Sequence, residues 1–252
     1  MKNLFFYGQS GSGKDTLANY FREKHHYLKF RCAGTIKQVL SEKNGLTASM
    51  LEIEKRQNEK LRKAHWKFGD EYNGKRHASV MQRLQNILSR DSIEFDIMPD
   101  FLRHYPLIIS DTRLEIEIDY LLKSGFIGIF LTRKTGEFQD GKHSTENDLI
   151  ENGTVARLSK RYPKQCLIVC NDIISFPDEK QQLEYTRKLA ADLSERYPDA
   201  LNVLIQLNPT GEQLINSFNQ NLIQIIPNLM DNDVDVTNEH SNDDTELLYK
   251  SR

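Results

Sequence analysis

Gly8, Gly13 and Lys14 stand at the spacing G-x-x-x-x-G-K within Gly8-Gln9-Ser10-Gly11-Ser12-Gly13-Lys14-Asp15-Thr16. Glycines at such places let the backbone curl until successive N–H groups face one centre, a geometry that suits phosphate oxygens. A helix beginning at the lysine adds its free N–H groups and the positive end of its dipole. Gly11, Ser12, Gly13, Lys14, Asp15 and Thr16 are therefore the candidate contacts to a cofactor's phosphates. Lys14 would reach the outer phosphates, and Thr16 would offer a hydroxyl to Mg²⁺. Asp15 follows the lysine where the strict pattern has Ser or Thr, so the hydroxyl comes one place later. An acidic residue in a first helical turn is also favoured by the dipole alone. The competing reading is a Gly/Ser-rich turn with a chance lysine.

A second set of residues follows the apolar run Leu107-Ile108-Ile109-Ser110, namely Asp111, Thr112 and Arg113. A carboxylate there can hold a Mg²⁺-bound water or orient a phosphoryl acceptor. The guanidinium of Arg113 can clamp a phosphate with two bonds. Glu117, four residues on, either orients that arginine or forms an exposed ion pair. Lys37 follows the small-residue turn Ala33-Gly34-Thr35 at the start of a helical stretch, a position suited to an anion. Arg83 and Gln85 are polar members of an apolar-periodic segment and could face a ligand. Arg133 follows the strand Phe126 to Leu131. The polar stretch from Lys134 to Gly153, with His143 and Glu146, is either a mobile lid or a plain surface loop. His143 alone does not establish general-base catalysis.

These residues need a scaffold, and the hydrophobic pattern outlines one. Leu4-Phe5-Phe6-Tyr7 is the strand that feeds the glycine-rich loop, and residues 15–26 are the helix that leaves it. Tyr27-Leu28-Lys29-Phe30 predicts a second strand. Residues 46–68 are helical in composition, and Lys55 to Arg76 holds eight Lys/Arg against three Asp/Glu. Most of those charges make a solvated face, with one or two available to a second substrate's phosphate. Trp66 among them suits packing better than base stacking. Residues 79–90 have apolar positions at helical spacing. The run 107–110 is continuous, as a buried parallel strand requires, and in open α/β sheets ligands bind beyond the carboxyl end of such strands. Glu115 to Lys123 predicts a helix stopped by Gly125. Residues 167–170 are taken as the last core strand, capped by Asn171-Asp172, with a helix from Gln181 to Arg196. The segment 200–229, with Pro209 and Pro227, takes no assignment. Asp231 to Arg252 carries seven acids and two bases and is expected to be a disordered acidic tail.

Composition narrows the function classes. The 252-residue chain is 38% apolar, enough for one large domain or one domain with inserts. A formal charge of −2 argues against general nucleic-acid binding. Cys32, Cys166 and Cys170 build no disulfide framework, and the last two suit buried free thiols. The chain opens directly on a strand, leaving no room for a signal peptide, and no apolar run approaches the ~18–20 residues that span a bilayer. The expectation is a cytoplasmic protein without a membrane partner.

The set Gly8…Gly13-Lys14-Asp15-Thr16, Ala33-Gly34-Thr35-Ile36-Lys37, Asp111-Thr112-Arg113, Arg133…His143…Glu146 and Asn171-Asp172 resembles the deoxynucleoside monophosphate kinases of tailed bacteriophages. The resemblance is scattered over residues 1–172 and carries over no contact between Lys37 and Ser79. It implies an α/β, P-loop three-layer fold with a central parallel sheet, like that of nucleoside monophosphate kinases. A kinase domain would cover 1–230, with a helical substrate-binding insert at about 38–90, a lid at about 133–153, and the tail at 231–252. It implies transfer of the ATP γ-phosphate to a dNMP with Mg²⁺, in the host cytoplasm. Lys14 and the loop amides would hold ATP, and Thr16 would hold Mg²⁺, with Asp111 reaching the ion through water. Asp111, Arg113 and Glu117 would bind the monophosphate, Lys37 and Arg83 would face it, and Arg133 would be a lid or nucleotide-contacting arginine. A homodimer stays open. Two other readings also stay open at this point: a kinase of another small phosphate monoester, such as phosphomevalonate, and a non-enzymatic P-loop switch. The second lacks the guanine-reading Asn-Lys-x-Asp element.

Overall fold

The computed structural model describes residues 2–8, 12–32, 81–91, 93–132, 153–172 and 174–207, with single positions between 45 and 67 and between 212 and 220. Gly11, Lys37, Trp66, Arg133, His143, Glu146 and the acidic tail lie outside the described residues.

Six parallel strands form one sheet in the order β2-β3-β1-β4-β5-β6. They are β1 (Leu4–Gly8), β2 (Leu28–Phe30), β3 (Leu107–Ile109), β4 (Ile127–Thr132), β5 (Cys166–Asp172) and β6 (Asn202–Leu207). The flanking helices are α1 (Lys14–His25), α2 (81–88), α3 (Glu115–Lys123), α4 (Thr154–Arg161) and α5 (Glu179–Arg196). A single turn (Ile93–Asp96) and a 3₁₀ segment (Asp100–His104) lead into β3.

Alternation along the strands separates two cores. Leu4, Phe6, Ile108, Ile129, Leu131, Leu167 and Val169 face Leu17, Ala18 and Phe21 of α1. Phe5, Tyr7, Phe30, Ile109, Phe130, Ile168 and Cys170 face the opposite way. That second layer takes Leu84 and Ile87 of α2, Ile118 and Leu121 of α3, Leu158 of α4 and Leu189 of α5. Burial on both faces is why these strands are continuous apolar runs. Cys166 and Cys170 are buried free thiols on one face of β5.

Gly128 in β4 makes room for the aromatics of β1. A Cβ there would lie 2.6 Å from Phe5 Cζ, so any side chain would displace the Phe5–Tyr7 stack, whose rings sit 5.3 Å apart. At the end of α3, Gly125 takes φ 82 and its N–H bonds Leu122 O at 3.0 Å, which stops the helix where the sequence expects it.

The carboxyl side of the sheet differs from the sequence expectation in two ways. Residues 167–170 are not the last strand, because β6 pairs alongside β5 from Leu167↔Asn202 to Asp172↔Leu207. Asn171 and Asp172 are accordingly strand residues and cap nothing. The prolines of 200–229 hid β6: both lie beyond Leu207, where they interrupt no ladder bond. Helix α4 was also not foreseen, since its buried apolar side chains are only Val155 and Leu158, too few to set a period. Among the described residues, no helix is long and apolar enough to cross a membrane.

Candidate functional site

The chain leaves β1 toward β2 and leaves β4, the neighbour of β1, toward β5. Strands that part in this way open a crevice at their carboxyl ends. The glycine-rich loop and Asp111-Thr112-Arg113 both lie at that edge, after β1 and β3. A cavity of about 490 Å³ lies at the other edge, lined by Asn3, Gln85, Asn86, Tyr120, Ser124 and Phe126 among others. None of its lining side chains is charged, so it has no group to neutralise a phosphate.

Gly8 closes β1 with φ 127, and a Cβ on it would lie 2.0 Å from Leu131 O in β4. Only glycine fits there, so the tight exit from the strand is fixed by sequence. Gly13 takes φ 97 and ψ 8 at the N-cap of α1. The Lys14 side chain folds back to the end of β1, where its Nζ donates to Gly8 O at 2.8 Å. Thr16 is exposed in the first turn of α1. Asp15 points toward β2, where its Oδ1 accepts from Lys29 Nζ at 3.1 Å and from Arg31 at 3.4 Å. Lys29 also donates to Asn19 Oδ1 at 2.8 Å, and burial lowers its pKa against the pull of Asp15. Asp15 thus ties the start of α1 to β2.

The second set gathers on the face of the sheet opposite α1. The Cys32 N–H donates to Asp111 Oδ1 at 2.6 Å, fastening the end of β3 to the end of β2. Arg83 on α2 donates from Nε to Arg31 O at 3.4 Å, which brings it to the same corner. Burial pushes the Cys32 thiol up, the charges of Glu117 and Asp111 add to this, and Arg83 opposes them. Cys32 is therefore a neutral thiol in a corner shared by Asp111, Arg83 and Glu117. Arg113 is half-buried on the turn before α3.

Glu117 is buried, which excludes the alternative of an exposed ion pair, and it holds the Arg113 backbone. Its Oε2 accepts the backbone N–H of Arg113 and that of Leu114, each at 3.0 Å. It shapes the turn that carries Arg113 by capping α3 from within. Glu117 is 3% exposed, and its pKa stands at about 7 against an ordinary 4.5. Burial is the main cause; the two backbone N–H bonds and Arg113 pull the value down, and Asp111 raises it.

This carries a pH signature. Between the ordinary value of 4.5 and about 7, the folded protein holds a proton that the unfolded chain has released. Stability from this group is complete below that window and is lost as the pH rises through it. From about pH 5 to about pH 8 the wild type should lose on the order of 1–3 kcal/mol that Glu117→Gln does not lose. Urea unfolding of both proteins at the two pH values checks this, and parallel losses would refute it.

Thr112 and Asn171 are buried polar groups at this edge whose contacts are not legible in the sequence. Thr112 Oγ1 is buried and has no hydrogen-bond partner among the described residues. Asn171 Nδ2 donates to Ser12 O at 3.0 Å. The available signal was only that polar residues follow apolar strand runs. Asp172 is buried beside Asn171 and accepts from Tyr185 OH at 2.8 Å.

Among the described residues no group of three His, Cys, Asp or Glu forms a metal cage. Mg²⁺ bound with phosphates needs only one or two protein ligands, which Thr16 and Asp111 could supply. No protein-family model matches the chain, and no curated protein matches it either.

Proposed function

We propose that the chain is an ATP-dependent deoxynucleoside monophosphate kinase, converting dNMP and ATP to dNDP and ADP as precursors for DNA synthesis. The carrying observation is the Lys14 ammonium held 2.8 Å from Gly8 O, at a strand exit that only glycine fits, beside the crevice next to β3. The P-loop fold of nucleoside monophosphate kinases accounts for that arrangement and agrees with the six-stranded parallel sheet. The acceptor class is supported by the sequence resemblance.

The residues present fit Mg²⁺·ATP. Gly8 gives β1 a tight exit that a side chain would block, Lys14 is already bent back to that exit, and the buried Thr112 hydroxyl is unpartnered among the described residues. Thr16 and Asp111 would hold Mg²⁺, which when bound neutralises charge on the phosphate oxygens. The loop amides and Lys14 bind the donor phosphates, while Arg113 and Arg83 receive the acceptor's monophosphate from the α2–α3 side. An oxygen of that monophosphate attacks the γ-phosphorus, the bond to the β–γ bridging oxygen breaks, and ADP leaves. Lys14 and Arg113 hold the reacting groups in line and match the charge that spreads between them. The reading places the protein in a host cell's cytoplasm during phage growth, with small-molecule partners.

ADP formation should be measured with each dNMP and NMP, and with phosphomevalonate, in the presence of Mg²⁺·ATP. At least one dNMP should accelerate ADP release far above the rate without acceptor. Turnover of phosphomevalonate alone would replace the substrate class. Slow hydrolysis indifferent to every acceptor would point to a nucleotide switch.

A further inference from the structure

Asn171 is a polar residue that the sheet buries, 2% exposed near the carboxyl end of β5. Its Nδ2 donates to Ser12 O at 3.0 Å, and Ser12 is itself fully buried. Since β4 lies between β5 and β1, this amide reaches across the sheet edge to the glycine-rich loop. Asn171 Oδ1 is also buried and has no hydrogen-bond partner among the described residues. Among the described residues, the Ser12 contact alone therefore orients the amide. Turned over, it would set oxygen against oxygen and leave its NH₂ without that acceptor.

Peptide planarity carries the consequence. In a trans peptide the C=O and the N–H that follows it point in opposite directions. With Ser12 O held toward β5, the Gly13 N–H points away from β5. Gly13 lies in the left-handed region at the N-cap of α1, so this N–H stands at the mouth of the helix.

We propose that Asn171 is the positioning residue of the glycine-rich loop: by holding the Ser12 carbonyl outward, it presents the Gly13 N–H to a phosphate of the donor nucleotide. The proposal rests on the kinase reading, and in particular on the loop holding nucleotide phosphates. It assigns the geometry of one peptide plane to a side chain 159 residues away.

Mg²⁺·ADP titrated into ¹⁵N-labelled wild-type protein is the first test. The Gly13 amide proton should move downfield as it gains a charge-assisted bond. Movement of neighbouring loop amides with Gly13 unmoved overturns the positioning role while leaving the kinase reading intact. No ADP binding at all overturns the kinase reading, and the inference with it. Asn171→Leu keeps the side-chain shape and deletes the donor. Its Kd for ADP should rise about tenfold, with the Gly13 shift diminished and the KM for the acceptor within about twofold of wild type. A lowered melting temperature with wild-type ADP affinity would mean a structural role only and overturns the proposal. If the leucine variant fails to fold, the wild-type titration decides.

Discussion

Lys14→Ala should abolish phosphoryl transfer, lowering kcat/KM for ATP by at least about 100-fold, while the fold persists. Lys14 is the only cationic side chain between Gly8 and Thr16, so no neighbour in the loop can replace it. A preorganised charge aimed at a developing negative charge contributes on the order of 3–4 kcal/mol, and each ~1.4 kcal/mol is tenfold in rate. The fold has little stake in it. Lys14 is half-buried, its Nζ meets a backbone carbonyl, and the apolar face of α1 is supplied by Leu17, Ala18 and Phe21. Circular dichroism and thermal melting should therefore stay near wild type while turnover collapses. Retention of more than about a tenth of the activity would sink the assignment of the loop.

Arg113→Lys should raise the KM for dNMP by about 10- to 100-fold and change the KM for ATP little. A monoester phosphate carries close to two negative charges and is matched by a planar guanidinium making two parallel bonds; an ammonium keeps the charge and loses that fork. The turn that carries Arg113 is held by Glu117 through backbone N–H groups, so the substitution leaves that support in place. Asp111→Asn is the matching change on the same turn. It keeps an oxygen for the Cys32 N–H, now held at 2.6 Å, and removes only the negative charge. It should lower kcat with a modest effect on either KM. If both residues serve structure alone, both variants will melt earlier with steady-state constants near wild type. An effect of Arg113→Lys confined to ATP would move the arginine to the donor side.

The strand and helix that bracket the glycine-rich loop were legible in the sequence because their determinants are local. Gly8, Gly13 and Lys14 lie within seven residues, and the closing contact, Lys14 Nζ to Gly8 O, spans six positions. The strands β1, β3, β4 and β5 were legible for a related reason: a strand buried on both faces must be apolar throughout, wherever it sits in the sheet. β6 escaped because as an edge strand it is only half-buried, and its polar ends, Asn202 and Gln206, blur the pattern.

What the sequence by itself determined is thus an inventory: a phosphate-type loop between a strand and a helix, and an Asp-x-Arg pair at the end of a second strand. Only the tertiary structure decided how these are assembled. It set the strand order that places β3 beside β1, and the Cys32–Asp111 bond across 79 residues. It turned Glu117 inward to hold a turn, and it brought Asn171 against Ser12. Such pairings follow from how six strands and their helices pack. Residue type and spacing carry no direct record of which distant segments become neighbours, because that choice belongs to the burial of the whole sheet.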